Sequence, residues 1–154
     1  MRPLPVSLAS AEETHALGQR LASVLSPGDL LVLTGPLGAG KTTLTQGIGA
    51  GLGVRGAVTS PTFVLARTHA GPVPLVHADA YRLRAAGPAQ VELDDLDLDA
   101  GIADSVTVVE WGEGLAEPLA EARLDVRLDR PEDERRVAVV MPHGRRWSAF
   151  SGGP

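Results

Sequence analysis

The sequence predicts an α/β fold, in which a compact sheet of mixed parallel and antiparallel strands is flanked by helices. Three observations predict it. An apolar run at residues 30–33 leads into a glycine-rich loop and then into a helix-compatible stretch that begins at Lys41. Two more apolar runs, at 73–78 and 106–110, have the composition of buried strands. Segments 123–129 and 134–140 alternate charged and apolar residues, which predicts a C-terminal β-hairpin.

The elements at the N-terminal end have clear boundary signals. Ser10 followed by Glu13 forms a capping box, and apolar residues at helical spacing follow it, so a first helix is expected there. The segment 26–28, Ser-Pro-Gly, ends that helix. The second helix, from Lys41, is expected to end before Gly53.

The middle of the chain predicts a hairpin and then short helices. A strand is expected at 63–68, a turn at Gly71-Pro72 and a return strand at 73–78, which gives an antiparallel pair. Residues 88–104 are acidic with scattered leucines, which favours one or two short helices. With 154 residues, the chain is predicted to be one domain, residues 1–150, followed by a mobile tail at 151–154.

The glycine-rich loop carries the strongest functional signal. Gly35, Gly40, Lys41 and Thr42 fit the pattern G-x-x-x-x-G-K-[ST] between a strand and a helix, which is the P-loop of nucleotide-binding proteins. Its backbone N–H groups and the following helix N-terminus surround a triphosphate, the lysine reaches the β- and γ-phosphates, and the threonine hydroxyl binds Mg²⁺. The fold class is therefore predicted to be the three-layer P-loop NTPase fold. The predicted nucleotide-binding residues of the loop are Gly35, Gly38, Ala39, Gly40, Lys41, Thr42 and Thr43.

Residue usage supports this site, because Lys41 is the only lysine in a chain whose other basic residues are all arginines. A compact ammonium fits among inward-pointing backbone groups, whereas a guanidinium is broader and holds its donors in a plane. Lys41 is thus a predicted catalytic residue as well as a phosphate ligand.

Two acidic residues are predicted to complete the site. Asp79 follows the strand at 73–78, and Glu110 ends the strand at 106–110. Ligands of α/β proteins bind at the carboxyl ends of strands, and a P-loop site uses a carboxylate there to orient Mg²⁺ or its waters. We assign Glu110 to the metal together with Thr42, and Asp79 to the γ-phosphate side, where it positions or activates water. Singly, each acid is equally compatible with an ordinary polar strand end.

Four nearby residues leave alternatives open. The Thr62 hydroxyl, in Ser-Pro-Thr-Phe, is a candidate sensor of the γ-phosphate, but local physics alone favours a plain proline-stiffened strand entry. Trp111 is a candidate neighbour of the nucleotide or a cap on the core. His77 has no second histidine at metal spacing nearby, so a structural role is the default. Arg82 is compatible with a phosphate contact or with pairing to the acidic stretch after it.

Composition excludes several other classes of protein. The net charge is −5, and aromatic residues are few, which argues against an independent nucleic-acid binder. The chain has no cysteine, so disulfides and thiolate metal sites are excluded. It has no stretch of transmembrane length and no apolar signal core near its N-terminus, so we expect a cytoplasmic protein that does not contact membranes.

Taken together, the motifs resemble those of the TsaE family, small bacterial P-loop ATPases. The resemblance rests on Gly35–Thr43, the segment 60–63, the sequence His-Ala-Asp-Ala-Tyr-Arg-Leu at 77–83 and Val-Glu-Trp at 109–111, and it spans nearly the whole chain. Pro36 departs from it, since the family usually has an acidic residue there.

The resemblance implies a function and a set of partners. It implies ATP and Mg²⁺ as cofactors, with the metal bound through Thr42 and Glu110 and with a functional Asp79. It implies work with the proteins TsaD and TsaB in making threonylcarbamoyladenosine in tRNAs that read codons beginning with A. The tRNA would then be contacted indirectly, through the complex, and ATP hydrolysis would serve turnover of that complex.

Two other functions remain as alternatives. A small-molecule P-loop kinase would need an arginine-bearing lid, whereas Arg123, Arg127 and Arg130 alternate along a predicted strand and look solvated. A nucleotide-dependent clamp on a partner protein would share every site residue with an ATPase and would differ only in turnover. The sequence argues against a GTPase, because without another lysine the chain has no Asn-Lys-x-Asp motif, and no Asp-x-x-Gly follows the P-loop.

Overall fold

A single mixed sheet organises the described part of the protein. The computed structural model describes residues 4–36, 38–58, 66–80, 101–111, 116, 120–130 and 135–150. The strands in that part are β1 (Leu4–Leu8), β2 (Leu30–Thr34), β3 (Ala66–His69), β4 (Leu75–Asp79), β5 (Val106–Glu110), β6 (Arg123–Asp129) and β7 (Arg136–His143). Two α-helices accompany them, α1 (Ala11–Ala22) and α2 (Lys41–Leu52).

The strand order places the loop after β2 at the middle of the sheet. The seven strands lie in the order β1-β7-β6-β2-β5-β4-β3. The four central strands, β6, β2, β5 and β4, are parallel. At one side β3 pairs antiparallel with β4, and at the other β7 pairs antiparallel with β6, while β1 pairs antiparallel with β7 and so runs in the direction of the central strands. Parallel strands end at the same edge, so β2, β4 and β5 deliver their C-terminal residues to one place. The predicted mixed α/β sheet and its C-terminal hairpin are confirmed.

Both α-helices pack on one face of this sheet. Leu17 and Leu21 of α1, with Leu44 and Ile48 of α2, are fully buried against strand residues of the larger core cluster. The opposite face carries a smaller cluster, built from Leu30, Val32, Ala78, Ala80, Val109 and Ala116. Of the helices expected at 88–104, only the last residues lie in the described part, where Ile102–Asp104 forms a turn of 3₁₀-helix.

The helix ends follow the predicted signals. Ser10 is the N-cap of α1, and its hydroxyl accepts a hydrogen bond from the Glu13 backbone N–H at 3.2 Å. Gly53 ends α2 with a φ of 74°, a left-handed conformation that glycine adopts without strain. α1 ends at Ala22, a few residues before the Ser-Pro-Gly segment that was expected to stop it.

The start of β2 is fixed by the C-terminal segment. Asp29, which precedes β2, is buried, and both of its carboxylate oxygens accept hydrogen bonds from the Arg146 guanidinium at 3.2 Å. The Arg146 guanidinium also lies over the ring of Trp147, which is buried in the larger core cluster. These contacts tie residues near the C-terminal end to the strand that carries the P-loop. None of the helices in the described ranges has the length and hydropathy needed to cross a bilayer.

Candidate nucleotide-binding site

The loop between β2 and α2 has the conformation that its glycines predict. Gly35 has a φ of 141°, and a Cβ added there would lie 2.1 Å from the Leu128 carbonyl oxygen, so no other residue fits. Gly40, the N-cap of α2, has a φ of 106°, and its carbonyl accepts from the Leu44 N–H at 2.9 Å. The predicted strand, loop and helix are therefore present, and they bring Gly35, Gly38, Ala39, Gly40, Lys41, Thr42 and Thr43 into one turn of chain.

The Lys41 side chain lies inside this turn. It is 5% exposed, and its Nζ donates hydrogen bonds to the carbonyls of Gly35 at 2.7 Å and Pro36 at 3.0 Å. Burial lowers the pKa of Lys41 from its ordinary value, while the charges of Glu110 and Asp79 partly oppose that shift. The ammonium is thus held by the loop itself, close to both predicted carboxylates.

The two carboxylates end neighbouring strands. Asp79 and Glu110 are register partners at the C-terminal ends of β4 and β5, and Glu110 also pairs with Leu33, two residues before Gly35. Both side chains are buried. The sheet register therefore brings together Lys41, Asp79 and Glu110, which the sequence had predicted as the catalytic set. Their individual roles remain predictions.

His77 is a site residue that the sequence interpretation did not assign. Its Nε2 lies 2.5 Å from Glu110 Oε2, and its side chain is completely buried. His77 precedes Asp79 by two residues on β4, so both side chains point to the same face of the sheet. That spacing was visible in the sequence, but the partner became evident only from the parallel pairing of β4 with β5.

Trp111 lies directly against the lysine. Its ring centroid is 4.2 Å from Lys41 Nζ, an arrangement that stabilises the ammonium through the ring face. Its backbone N–H donates to the Leu33 carbonyl at 2.7 Å, and its φ of 61° is left-handed, which is uncommon for a bulky residue. The structure places Trp111 beside the P-loop, and its contact with a nucleotide stays a prediction.

Two arginines from the C-terminal hairpin also reach the loop. Arg136 Nη2 donates to the Gly38 carbonyl at 3.3 Å, and Arg130 Nη1 lies 3.2 Å from the position of a Cβ on Gly38. Arg130 is exposed, as expected, yet it is adjacent to the predicted phosphate loop. No local sequence pattern indicates these contacts, because they depend on β6 lying beside β2.

The donor set fits magnesium. Thr42, in the first turn of α2, and Glu110 offer a hydroxyl and a carboxylate, both hard oxygen ligands. Within the described ranges, no three His, Cys, Asp or Glu side chains converge on a common point. A metal held by so few protein ligands takes the rest from phosphates and water, which is the usual arrangement for Mg²⁺. Thr62, the predicted γ-phosphate sensor, lies outside the described residues.

Comparisons with known proteins identify the family and agree with this fold. The family model described as "Threonylcarbamoyl adenosine biosynthesis protein TsaE" matches residues 8–138. A protein of Streptomyces coelicolor, named tRNA threonylcarbamoyladenosine biosynthesis protein TsaE, is 58% identical over 140 residues, which cover 86% of this chain and 92% of the relative. A Bacillus subtilis protein of the same name is 37% identical over 149 residues, covering 96% of this chain and 90% of the relative.

A solved structure gives the same result at the level of the fold. The crystal structure of Bacillus subtilis YdiB superposes with a TM-score of 0.80 and 32% sequence identity, over 97% of this chain and 91% of that one. The P-loop, the strand-end carboxylates and the sheet order are thus accompanied by a family match over most of the chain, and the chain belongs to the TsaE family.

Proposed function

We propose that this protein is the ATP-binding and ATP-hydrolysing component of the machinery that makes threonylcarbamoyladenosine in tRNA. It acts with TsaD and TsaB, on tRNAs that read codons beginning with A. The observation that carries the proposal is the enclosed P-loop lysine. Lys41 Nζ lies between two loop carbonyls and the Trp111 ring, and both strand-end carboxylates are close enough to raise its pKa against the effect of burial.

The loop supports triphosphate binding before any ligand arrives. The N-terminus of α2 has no side-chain cap, so its first N–H groups are available to phosphate oxygens. Lys41 adds a point charge at the same place, and Arg136 holds the Gly38 carbonyl on the opposite side of the loop. A site of this kind binds the phosphates of a nucleotide through its backbone and leaves selection of the base to other residues.

Mg²⁺ would be held by Thr42 and Glu110, and it would neutralise charge that develops on the phosphates. Asp79, the register partner of Glu110, lies beside that carboxylate at the end of β4. We assign Asp79 to orienting the water that attacks the γ-phosphate, because a buried carboxylate next to the P-loop can accept a proton from it. Lys41 stabilises the charge on the transferred phosphoryl group.

The charge of the protein supports indirect contact with tRNA. A net charge of −5 opposes binding to a polyanion, so the partner proteins supply the nucleic-acid surface. The work is expected to take place in the cytoplasm, where tRNA modification occurs. The hydrolysis step serves turnover of the complex, and TsaD carries the transfer chemistry.

Reconstitution with purified components tests the proposal. ATP hydrolysis is measured for the protein alone, with TsaD and TsaB, and with tRNA added, while threonylcarbamoyladenosine is quantified by mass spectrometry of the digested tRNA. We expect modification over many turnovers only when this protein and ATP are both present, and none with Lys41→Ala. Equal modification without this protein would refute the proposal.

The same experiment separates the alternatives. A clamp would bind ATP tightly and support modification with no hydrolysis in any mixture. A small-molecule kinase would convert ATP to ADP only when a metabolite is supplied, and the γ-phosphoryl group would appear on that metabolite rather than as inorganic phosphate.

A further inference from the structure

His77 makes a buried contact that the proposed mechanism does not use. On β4 it pairs in register with Val108, one step inside the Asp79–Glu110 pair at the strand ends. Its side chain is 0% exposed, and Nε2 reaches Glu110 Oε2 at 2.5 Å. Both partners belong to the buried interior of the site rather than to its rim.

The environment of His77 fixes which ring nitrogen carries the proton. Nδ1 is buried, and it has no hydrogen-bond partner among the described residues. An ionised carboxylate only accepts hydrogen bonds, so Nε2 must donate to Glu110. The hydrogen bond to Glu110 therefore places a hydrogen on Nε2.

This hydrogen bond constrains a flexible side chain. A glutamate side chain loses rotamer freedom when a ligand orders it, and a hydrogen bond that already holds the side chain reduces the entropy lost at that step. With Oε2 bound to His77, Oε1 is the oxygen through which Glu110 would contact a metal. Histidine and carboxylate partners behind a metal ligand orient it in just this way in many metal sites.

We propose that His77 is a positioning residue, which fixes Glu110 in the orientation that accepts the Mg²⁺–nucleotide complex. The inference rests on the proposed function, since it assumes that Glu110 contacts the metal. It assigns His77 no contact with nucleotide or metal. A merely structural histidine would support the fold and would leave the metal dependence of nucleotide binding unchanged.

The test compares variants that differ in one donor. His77→Leu fills a similar volume without a donor, and His77→Gln places an amide N–H at a reach similar to that of Nε2. The affinity for a fluorescent N-methylanthraniloyl ATP is measured with Mg²⁺ and with EDTA, and the ratio of the two affinities is the readout. Thermal unfolding is recorded for each variant, so that loss of fold is not mistaken for loss of metal coupling.

We expect His77→Leu to reduce the Mg²⁺-dependent gain in affinity roughly 10-fold, the effect typical of losing a partner behind a metal ligand. The affinity in EDTA should stay within about twofold, because it does not involve that ligand, and His77→Gln should recover most of the gain. An unchanged ratio for His77→Leu, or equal losses with and without Mg²⁺, would overturn the proposal.

Glu110→Gln, measured in parallel, distinguishes an error in the role of His77 from an error in the metal assignment of Glu110. If Glu110→Gln loses the Mg²⁺-dependent gain and His77→Leu keeps it, only the role of His77 is wrong. If Glu110→Gln itself keeps the gain, the metal assignment is wrong and the role of His77 falls with it.

A spectroscopic measurement on the unmodified protein keeps the proposal testable if His77→Leu fails to fold. In protein labelled with ¹⁵N histidine, we expect one imidazole ring that carries its hydrogen on Nε2, with the resonance of that hydrogen strongly shifted downfield. The downfield shift should disappear in Glu110→Ala. A proton on Nδ1 with a bare Nε2 would refute the hydrogen bond from which the proposal is argued.

Discussion

Substitution of Gly18 by alanine should damage the nucleotide site from a distance. A Cβ at Gly18 would lie 2.3 Å from the Leu44 carbonyl oxygen and 2.7 Å from the Ile48 backbone nitrogen. Both atoms belong to the backbone of α2, which cannot rotate away as a side chain would. To reach ordinary contact distance, α1 and α2 must separate by about 1 Å at this point. Because Leu44 lies in the first turn of α2, the displacement reaches Lys41 and Thr42.

The expected change in the free energy of unfolding of Gly18→Ala results from two opposing effects. Extra volume in a packed interior costs roughly 1–3 kcal/mol, and a clash with backbone belongs at the upper end of that range. Replacing glycine within a helix returns about 1 kcal/mol through helix propensity. The free energy of unfolding should therefore fall by about 1–2 kcal/mol, which lowers Tm by roughly 2–8 °C in a chain of this size. A 1 Å displacement of catalytic groups costs on the order of 100-fold in rate, and we expect ATP affinity to fall as well.

Circular dichroism melts and fluorescent ATP titrations measure the two effects. Gly101→Ala is the matched control, because apart from its chain neighbours no atom of the described residues lies within 4 Å of a Cβ at that position. Its free energy of unfolding should change by no more than about 0.5 kcal/mol. If Gly18→Ala melted at the same temperature as the unmodified protein or above it, the predicted clash between a Cβ at position 18 and the backbone of α2 would be refuted.

Four further predictions concern the site and its surroundings. Lys41→Arg keeps the charge of the side chain but changes its shape. ATP affinity should fall at least about 10-fold, because the buried space beside the Gly35 and Pro36 carbonyls does not fit a guanidinium. Near-normal affinity in an ATP titration would contradict this. Asp79→Asn should lower kcat for ATP hydrolysis far more than ATP affinity, and normal turnover would remove Asp79 from the water-positioning role. Glu110→Gln should weaken binding of Mg²⁺–ATP yet leave or improve binding of ATP in EDTA, and equal losses under both conditions would count against a metal ligand. Burial, with the neighbouring His77 and Arg67 side chains, lowers the pKa of His69 below its ordinary value of 6.5. Below pH 6.5 the unfolded chain therefore takes up a proton that the folded protein does not, and the free energy of unfolding falls with decreasing pH, by at most about 1.4 kcal/mol per pH unit. His69→Leu should flatten that slope in urea unfolding series between pH 7 and 5, and an unchanged slope would exclude His69 as its source.

Local chemistry determined which elements could be predicted from sequence. Ser10 with Glu13, the loop glycines and Gly53 each act within a few residues, and the structure has the cap, the turn and the helix end where these residues place them. The strand at Val106–Glu110 was equally clear, because an unbroken apolar run that ends in a charge fits a strand buried on both faces. The placement of Asp79 and Glu110 at neighbouring strand ends followed from the same pattern.

Long-range contacts account for what the sequence did not reveal. β1 contains Pro5 and is stabilised by pairing with β7, more than a hundred residues away, so no local pattern indicated a strand at the N-terminal end. The same holds for Arg136 at Gly38, a contact between residues 98 positions apart. The glycines of α2 looked like weak points in a helix, yet Gly47 lies where a Cβ would meet the His15 carbonyl oxygen at 2.1 Å. Gly47 and Gly51 allow close packing against α1, whereas Gly49 faces the Val54 and Val58 side chains, and only the tertiary structure makes these contacts visible.

The charges of the site explain why metal and nucleotide should bind together. Asp79 and Glu110 both lie near Lys41, so the protein presents two carboxylates against one ammonium at the place where phosphates are proposed to sit. A bare triphosphate gains from Lys41 and from the N-terminus of α2, but it is repelled by both acids. A divalent cation reverses the sign of that interaction, because it attracts the carboxylates and the phosphates alike. We therefore expect the two acids to disfavour nucleotide without metal, and we propose that the hydrogen bond from His77 keeps Glu110 in place for the complex of nucleotide and metal.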